Sequence, residues 1–158
     1  MDMTSLLGLL AFIALCFVTA MSGAVFMPGE WYRGLAKPSW NPPDWAFAPA
    51  WTVLYIMIAV AGWMVWREAG IAGAALPLAV YVVQLLFNAG WSAVFFGLKR
   101  PDLAFIEVIG LWLSILATIV LFLPISRTAG LLLLPYLAWV TFAATLNFTI
   151  WRLNPVRG

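Results

Sequence analysis

Tryptophan, tyrosine and amide side chains fall into three stripes along this chain. Trp51 and Tyr55 are four residues apart; Gln84, Asn88, Trp91 and Phe95 follow at offsets of four, seven and eleven; Trp139, Ala143 and Asn147 are again spaced by four. Residues so spaced share one face of a helix. Broad aromatic faces beside a few amides hold a flat apolar ligand by stacking and orient it by hydrogen bonds. The same amides can instead serve as hydrogen-bonded glue between helices, with the aromatics as packing. Each stripe sets a tryptophan beside a small or amide side chain, which favours a pocket, because leucine and valine would suffice for packing.

Other chemistries are missing. The chain has no histidine, so the commonest metal ligand, general base and proximal haem ligand are absent. Its single cysteine, Cys16, has no partner for an internal disulfide. No serine-nucleophile, metal or phosphate-loop constellation occurs, so there is no ordinary enzyme active site, metal site or required cofactor. Glu107 is the one acid inside an apolar stretch and a functional candidate for that reason. Its position about one turn into the span, close to Lys99 and Arg100, favours snorkelling or ion pairing.

The elements that must carry these stripes follow from where charge is missing. Of 158 residues, 65% are hydrophobic and 9% charged, whereas soluble domains carry about 25% charged residues. Residues 3–29, 45–66, 69–98 and 128–151 contain no charge, and a helix crossing about 30 Å of hydrocarbon needs about 20 residues. The expected fold is an all-α bundle of five transmembrane helices forming one domain over 1–158, with spans near 5–26, 44–67, 74–97, 102–123 and 128–153. Lacking a basic region before it, the first is read as a retained helix rather than a signal peptide. Short turns make sequential spans antiparallel neighbours. Small residues at spacing four, such as Ala89 with Ala93 and Gly110 with Ser114, permit close helix contact within the bundle or across a dimer.

The first connection, 27–43, is different. It holds Trp31, Tyr32, Trp40 and four prolines, a stiff aromatic segment longer than a connector requires. It reads either as an interfacial aromatic belt or as a lid over the bundle, and its length and rigidity favour the lid. Arg33, Lys37, Lys99, Arg100, Arg152 and Arg157 fall on one side of the membrane, and Arg67 and Arg127 on the other. That bias puts the long loop and the C-terminus in the cytoplasm. The basic residues form no patch, so the net charge of +2 does not indicate nucleic-acid binding.

The segment Lys37-Pro38-Ser39-Trp40-Asn41-Pro42-Pro43, followed by Trp45, Trp51 and Tyr55, resembles the loop and second helix of the translocator protein family, whose bacterial members are the tryptophan-rich sensory proteins. Gln84-Leu85, Asn88, Trp91 and Phe95-Phe96-Gly97 resemble its third helix, and Pro135-Tyr136-Leu137-Ala138-Trp139 with Leu146-Asn147 its fifth. The resemblance implies a five-helix bundle, usually a homodimer, that binds protoporphyrin IX or haem-type tetrapyrroles. It places Trp31, Tyr32, Trp51, Asn88, Trp91, Trp139, Ala143 and Leu146 at the ligand. It also implies isoquinoline- and benzodiazepine-type ligands and, in mitochondrial members, cholesterol. Sterol-binding members carry a tyrosine in a fifth-helix pattern where this chain has Phe148, ahead of Arg152, which weakens the cholesterol expectation. Some bacterial members promote light-dependent breakdown of protoporphyrin, attributed to pocket tryptophans, here Trp51 and Trp139.

The expected function is a membrane receptor that senses, carries or disposes of tetrapyrroles. The alternatives are a photo-oxidative enzyme acting on bound porphyrin and a transporter. The absence of inverted repeats and paired broken helices counts against the transporter.

Overall fold

The computed structural model describes residues 1–156; Arg157, one of the six basic residues in the orientation count, lies outside the described residues. Five helical segments are long and apolar enough to cross a membrane. Helix α1 (Met3–Val25) starts at Asp2, whose carboxylate accepts the Ser5 N–H at 2.8 Å, a cap for an otherwise unpaired donor. The following connection contains one short helical turn, α2 (Glu30–Arg33). A 3-10 turn over Asp44–Ala46 then leads into α3 (Phe47–Gly73). The end of α3 breaks at Gly70, whose φ of 69° is left-handed, a conformation open to glycine at little cost.

Helix α4 (Ala75–Ser92) continues through a π-helical turn, Ala93–Gly97. Helix α5 (Pro101–Phe122) opens on proline, whose missing N–H is harmless in a first turn. The fifth span is not one helix. It comprises α6 (Arg127–Leu132) and α7 (Leu134–Leu153), broken at Leu133. Pro135 lacks the N–H that would bond back to the Leu131 carbonyl, so the backbone cannot run through unbroken.

The spans close into a ring. Helix α1 lies against α3 and α4, α4 against α5, α5 against α7, and α6 returns to α3. The third, fourth and fifth spans are sequential neighbours as expected. Helices α3 and α4 touch only lightly, because α1 packs on both. Where these three meet, Gly62 has no side chain: a Cβ there would stand 2.7 Å from Cζ of Tyr81 and 2.8 Å from the Phe12 ring. Many large apolar side chains remain exposed on the outside, among them Phe17, Leu86 and Ile106, as suits a lipid-facing surface.

Glu107 departs from expectation. Among the described residues it makes no ion pair; Arg100 instead forks onto Asp102, with N–O distances of 2.9 and 2.6 Å. The Glu107 carboxylate lies against α4 at Gly90, where a Cβ would come within 3.0 Å of Oε1, and Oε2 is buried with no hydrogen-bond partner. With α5 starting at Pro101, Arg100 precedes the first turn, in reach of Asp102 but not of a side chain two turns on.

Candidate ligand-binding site

Helices α3, α4 and α7 bring most of the striped residues together. Tyr55 Oη donates to Asn88 Oδ1 at 2.6 Å, Asn88 Nδ2 donates to the Tyr136 oxygen at 2.7 Å, and Tyr136 Oη donates to Gln84 Oε1 at 2.8 Å. This chain crosses three spans and is almost wholly buried, with Gln84 1% and Tyr136 0% exposed. Such networks gain strength where water is excluded. Gln84 Nε2 is left buried without a partner.

Above this polar floor stands an aromatic wall. The Trp51 ring lies 5.5 Å from Tyr55, 6.3 Å from Tyr136 and 6.3 Å from Trp139, the two indoles at 86°. Trp139 in turn contacts Phe47 at 6.1 Å and Phe142 at 5.7 Å, and Phe142 contacts Trp40 of the loop at 5.8 Å. The indole Nε1 of Trp139 is buried and has no hydrogen-bond partner. A wall of edge-to-face rings with a free donor suits a ligand that is flat and carries acceptor atoms.

Trp91 stands apart from that wall. It stacks on Phe95 at 4.9 Å and 25°, and its Nε1 donates to Asn147 Oδ1 at 2.9 Å. Asn147 Nδ2 donates to the Pro101 carbonyl at 2.8 Å, so one amide ties α4, α7 and the head of α5 together. Leu146 is buried in the same cluster with Tyr32 and Phe95, while Ala143 is half-buried between the two groups' levels on α7. The three tryptophans of the stripes therefore divide, Trp51 and Trp139 on one wall and Trp91 beneath the loop. Phe47 and Phe142 join the two groups, packing against the cluster that contains Tyr32 and Phe95.

The loop is folded onto the bundle. Trp31 meets Phe95 at 5.7 Å and Tyr32 meets Phe96 at 5.5 Å. Burial pushes the Tyr32 phenol above its ordinary value, against a weak 3.4 Å hydrogen bond to Asn41 that pulls it down. Lys37 Nζ sits 4.7 Å from the Tyr32 ring and donates to the Arg33 and Leu35 carbonyls. Asn154, just past α7, clamps the loop: Ala36 N–H donates to its Oδ1 at 2.9 Å, and its Nδ2 donates to the Ala36 carbonyl at 2.8 Å.

An open apolar groove of about 660 Å³ runs beside the wall between α3 and α7, lined by Pro49, Ala50, Val53, Pro135, Ala138 and Trp139 among others. Tyr136, central to the network, was absent from the predicted site. It lies three residues before Trp139, and extending that stripe by one helical step would have included it. Asn154 and Phe142 carry no comparable signal, since their roles depend on where the loop folds.

The family model of the TspO/MBR family matches residues 12–152. A "Tryptophan-rich protein TspO" of Chlorobaculum tepidum is 43% identical over 150 residues, covering 90% of this chain and 93% of its own length. "Protein CrtK" of Rhodobacter capsulatus is 44% identical over 89% of this chain and 88% of its own length. The human "Translocator protein" is 40% identical over 88% of this chain and 83% of its own length. With five helices able to span a bilayer and a match over most of its length, the chain belongs to the TspO/MBR family and is an integral, multi-pass membrane protein.

Proposed function

We propose that the protein is a membrane receptor for porphyrins, taking protoporphyrin IX or a related tetrapyrrole against the Trp51–Trp139 wall. The observation that carries this reading is the perpendicular indole pair set over the buried Tyr55–Asn88–Tyr136–Gln84 chain. Stacking faces and a fixed row of polar groups hold a macrocycle without an axial ligand, in keeping with a chain that has no histidine. The same flat-ring chemistry extends to isoquinoline- and benzodiazepine-type ligands. Sterol binding is the weaker expectation: Phe148, tilted against Phe105 at 5.2 Å and with Arg152 over its ring at 5.9 Å, offers no hydroxyl. The loop and C-terminus are assigned to the cytoplasm, with Arg33, Lys37, Lys99, Arg100 and Arg152 on that side.

Titration with protoporphyrin IX should give saturable quenching of tryptophan fluorescence. Replacing Trp51, Trp139 and Asn88 together should abolish it; unchanged quenching in that variant overturns the reading.

A second reading, photo-oxidation of the bound porphyrin, is favoured by the contact of Trp51 with three other oxidisable rings, those of Tyr55, Tyr136 and Trp139. Under light and oxygen, porphyrin should then disappear faster with protein than without, and equal rates rule it out.

A further inference from the structure

We propose that the groove between α3 and α7 is a side portal through which a flat apolar ring system passes between the bilayer and the Trp51–Trp139 wall. The proposal rests on the porphyrin-binding reading and adds the route.

Three observations carry it. First, the groove reaches the wall directly, because Trp139 lines the groove and packs edge-on against Trp51. Second, the helices part there. Helix α3 meets the fifth span mainly through α6 and touches α7 little. The flanking side chains are short: Ala50 on α3 and Ala138 on α7, with a proline on each helix at Pro49 and Pro135. The lining is almost wholly apolar, with the Trp139 indole N–H its one unpaired polar group, so an apolar ring leaves lipid for the groove without losing hydration. Third, the water-facing end is closed. Tyr32 is 4% exposed beneath the loop, Trp31 and Tyr32 sit on Phe95 and Phe96, Trp40 sits on Phe142, and Asn154 holds Ala36 by two hydrogen bonds. A ligand coming through the loop must break these together, whereas one arriving through the groove need displace only lipid chains.

The test uses full-length protein in phosphatidylcholine vesicles, with protoporphyrin IX delivered from a second vesicle population and tryptophan quenching followed in time. Val53 and Ala138 are both exposed on the groove, so Val53→Phe and Ala138→Phe narrow it without entering the core. Leu86→Phe, on the exposed face of α4, is the control. Asn154→Ala loosens the loop instead. A side portal predicts that each groove variant slows association and dissociation alike, by about tenfold in the double variant, and leaves the equilibrium Kd within about twofold. Leu86→Phe and Asn154→Ala should keep the unmodified rates. Faster binding in Asn154→Ala with no change in the groove variants would overturn the portal in favour of the loop. So would a groove variant that raises Kd while association holds, since that marks a wall and not a passage. Absence of saturable quenching in the unmodified protein at equilibrium would instead sink the porphyrin reading, and the portal with it, before any variant is compared.

Discussion

Trp51 and Trp139 meet at 6.3 Å although they lie at very different depths in their helices. Trp51 is four residues into α3 from its start at Phe47, whereas Trp139 is fourteen residues from the end of α7 at Leu153. The ten-residue difference, at 1.5 Å per residue, means that α3 begins about 15 Å below the loop-side end of α7. The loop between α1 and α3 fills that space. Its aromatics thus pack on Phe95, Phe96 and Phe142 inside the bundle's mouth rather than lying flat on a membrane surface. The packing of the loop's aromatics on the bundle therefore has a geometric cause, the stagger of one helix.

Trp139→Ala and Trp51→Ala should each weaken protoporphyrin binding. An edge-to-face or stacked aromatic contact contributes about 1 kcal/mol beyond buried area, roughly a fivefold change in Kd. Loss of both should fall short of the sum, because each indole positions the other. Absorbance titration in detergent measures this, and Trp91→Ala supplies a comparison: it belongs to the cluster under the loop, so its effect should fall on stability more than on affinity.

The Tyr55–Asn88–Tyr136–Gln84 chain should behave as a unit. Asn88→Leu removes the acceptor for Tyr55 and the donor to Tyr136; Tyr136 keeps its bond to Gln84, but the half-buried Tyr55 hydroxyl loses its partner, at about 1–3 kcal/mol. The protein should melt at lower temperature by thermal unfolding in detergent. Tyr136→Phe alone should also destabilise, but combined with Asn88→Leu it should cost less than the two separately, since one of the two bonds it removes is already broken.

The five spans were legible because charge is absent from long stretches, and the cost of a charge in hydrocarbon leaves no other placement. Which residues face inward was also legible, from amides at helical spacing: Gln84, Asn88 and Asn147 are all buried. Helical phase says nothing about how far one helix slides along another, however. For that reason the spacing does not show that Trp91 stacks on Phe95 while Trp51 and Trp139 meet each other. Glu107 misled for a related reason. Closeness in sequence to Arg100 did not survive the helix start at Pro101, and the carboxylate turned to Gly90 on another span.

Asn154 is expected to latch the loop. Asn154→Ala removes both bonds to Ala36 and should speed hydrogen exchange at the Ala36 amide by roughly tenfold, about one hydrogen bond's net contribution. Asn154→Asp keeps an acceptor for the Ala36 N–H but loses the donor to its carbonyl, so exchange should rise less. Equal exchange in all three proteins would show that the aromatic contacts alone hold the loop.

Two glycines make opposite predictions although both lie at helix contacts. At Gly62 an added methyl would stand 2.7 Å from Tyr81 and 2.8 Å from Phe12, and Tyr81 is fully buried with its hydroxyl donating to the Ile58 carbonyl at 2.9 Å. That ring cannot retreat without breaking its hydrogen bond, so Gly62→Ala should cost about 1–3 kcal/mol through displaced helices. At Gly90 the nearest atom is Oε1 of Glu107, 3.0 Å away at the tip of a flexible side chain that no partner holds. A small rotation there relieves the contact, and alanine also favours the helix over glycine by about 1 kcal/mol. Gly90→Ala should therefore unfold at or above the temperature of the unmodified protein, while Gly62→Ala unfolds well below it. A reversed order in thermal melts would mean that the seam between α4 and α5 at Glu107 is packed more rigidly than the one joining α1, α3 and α4.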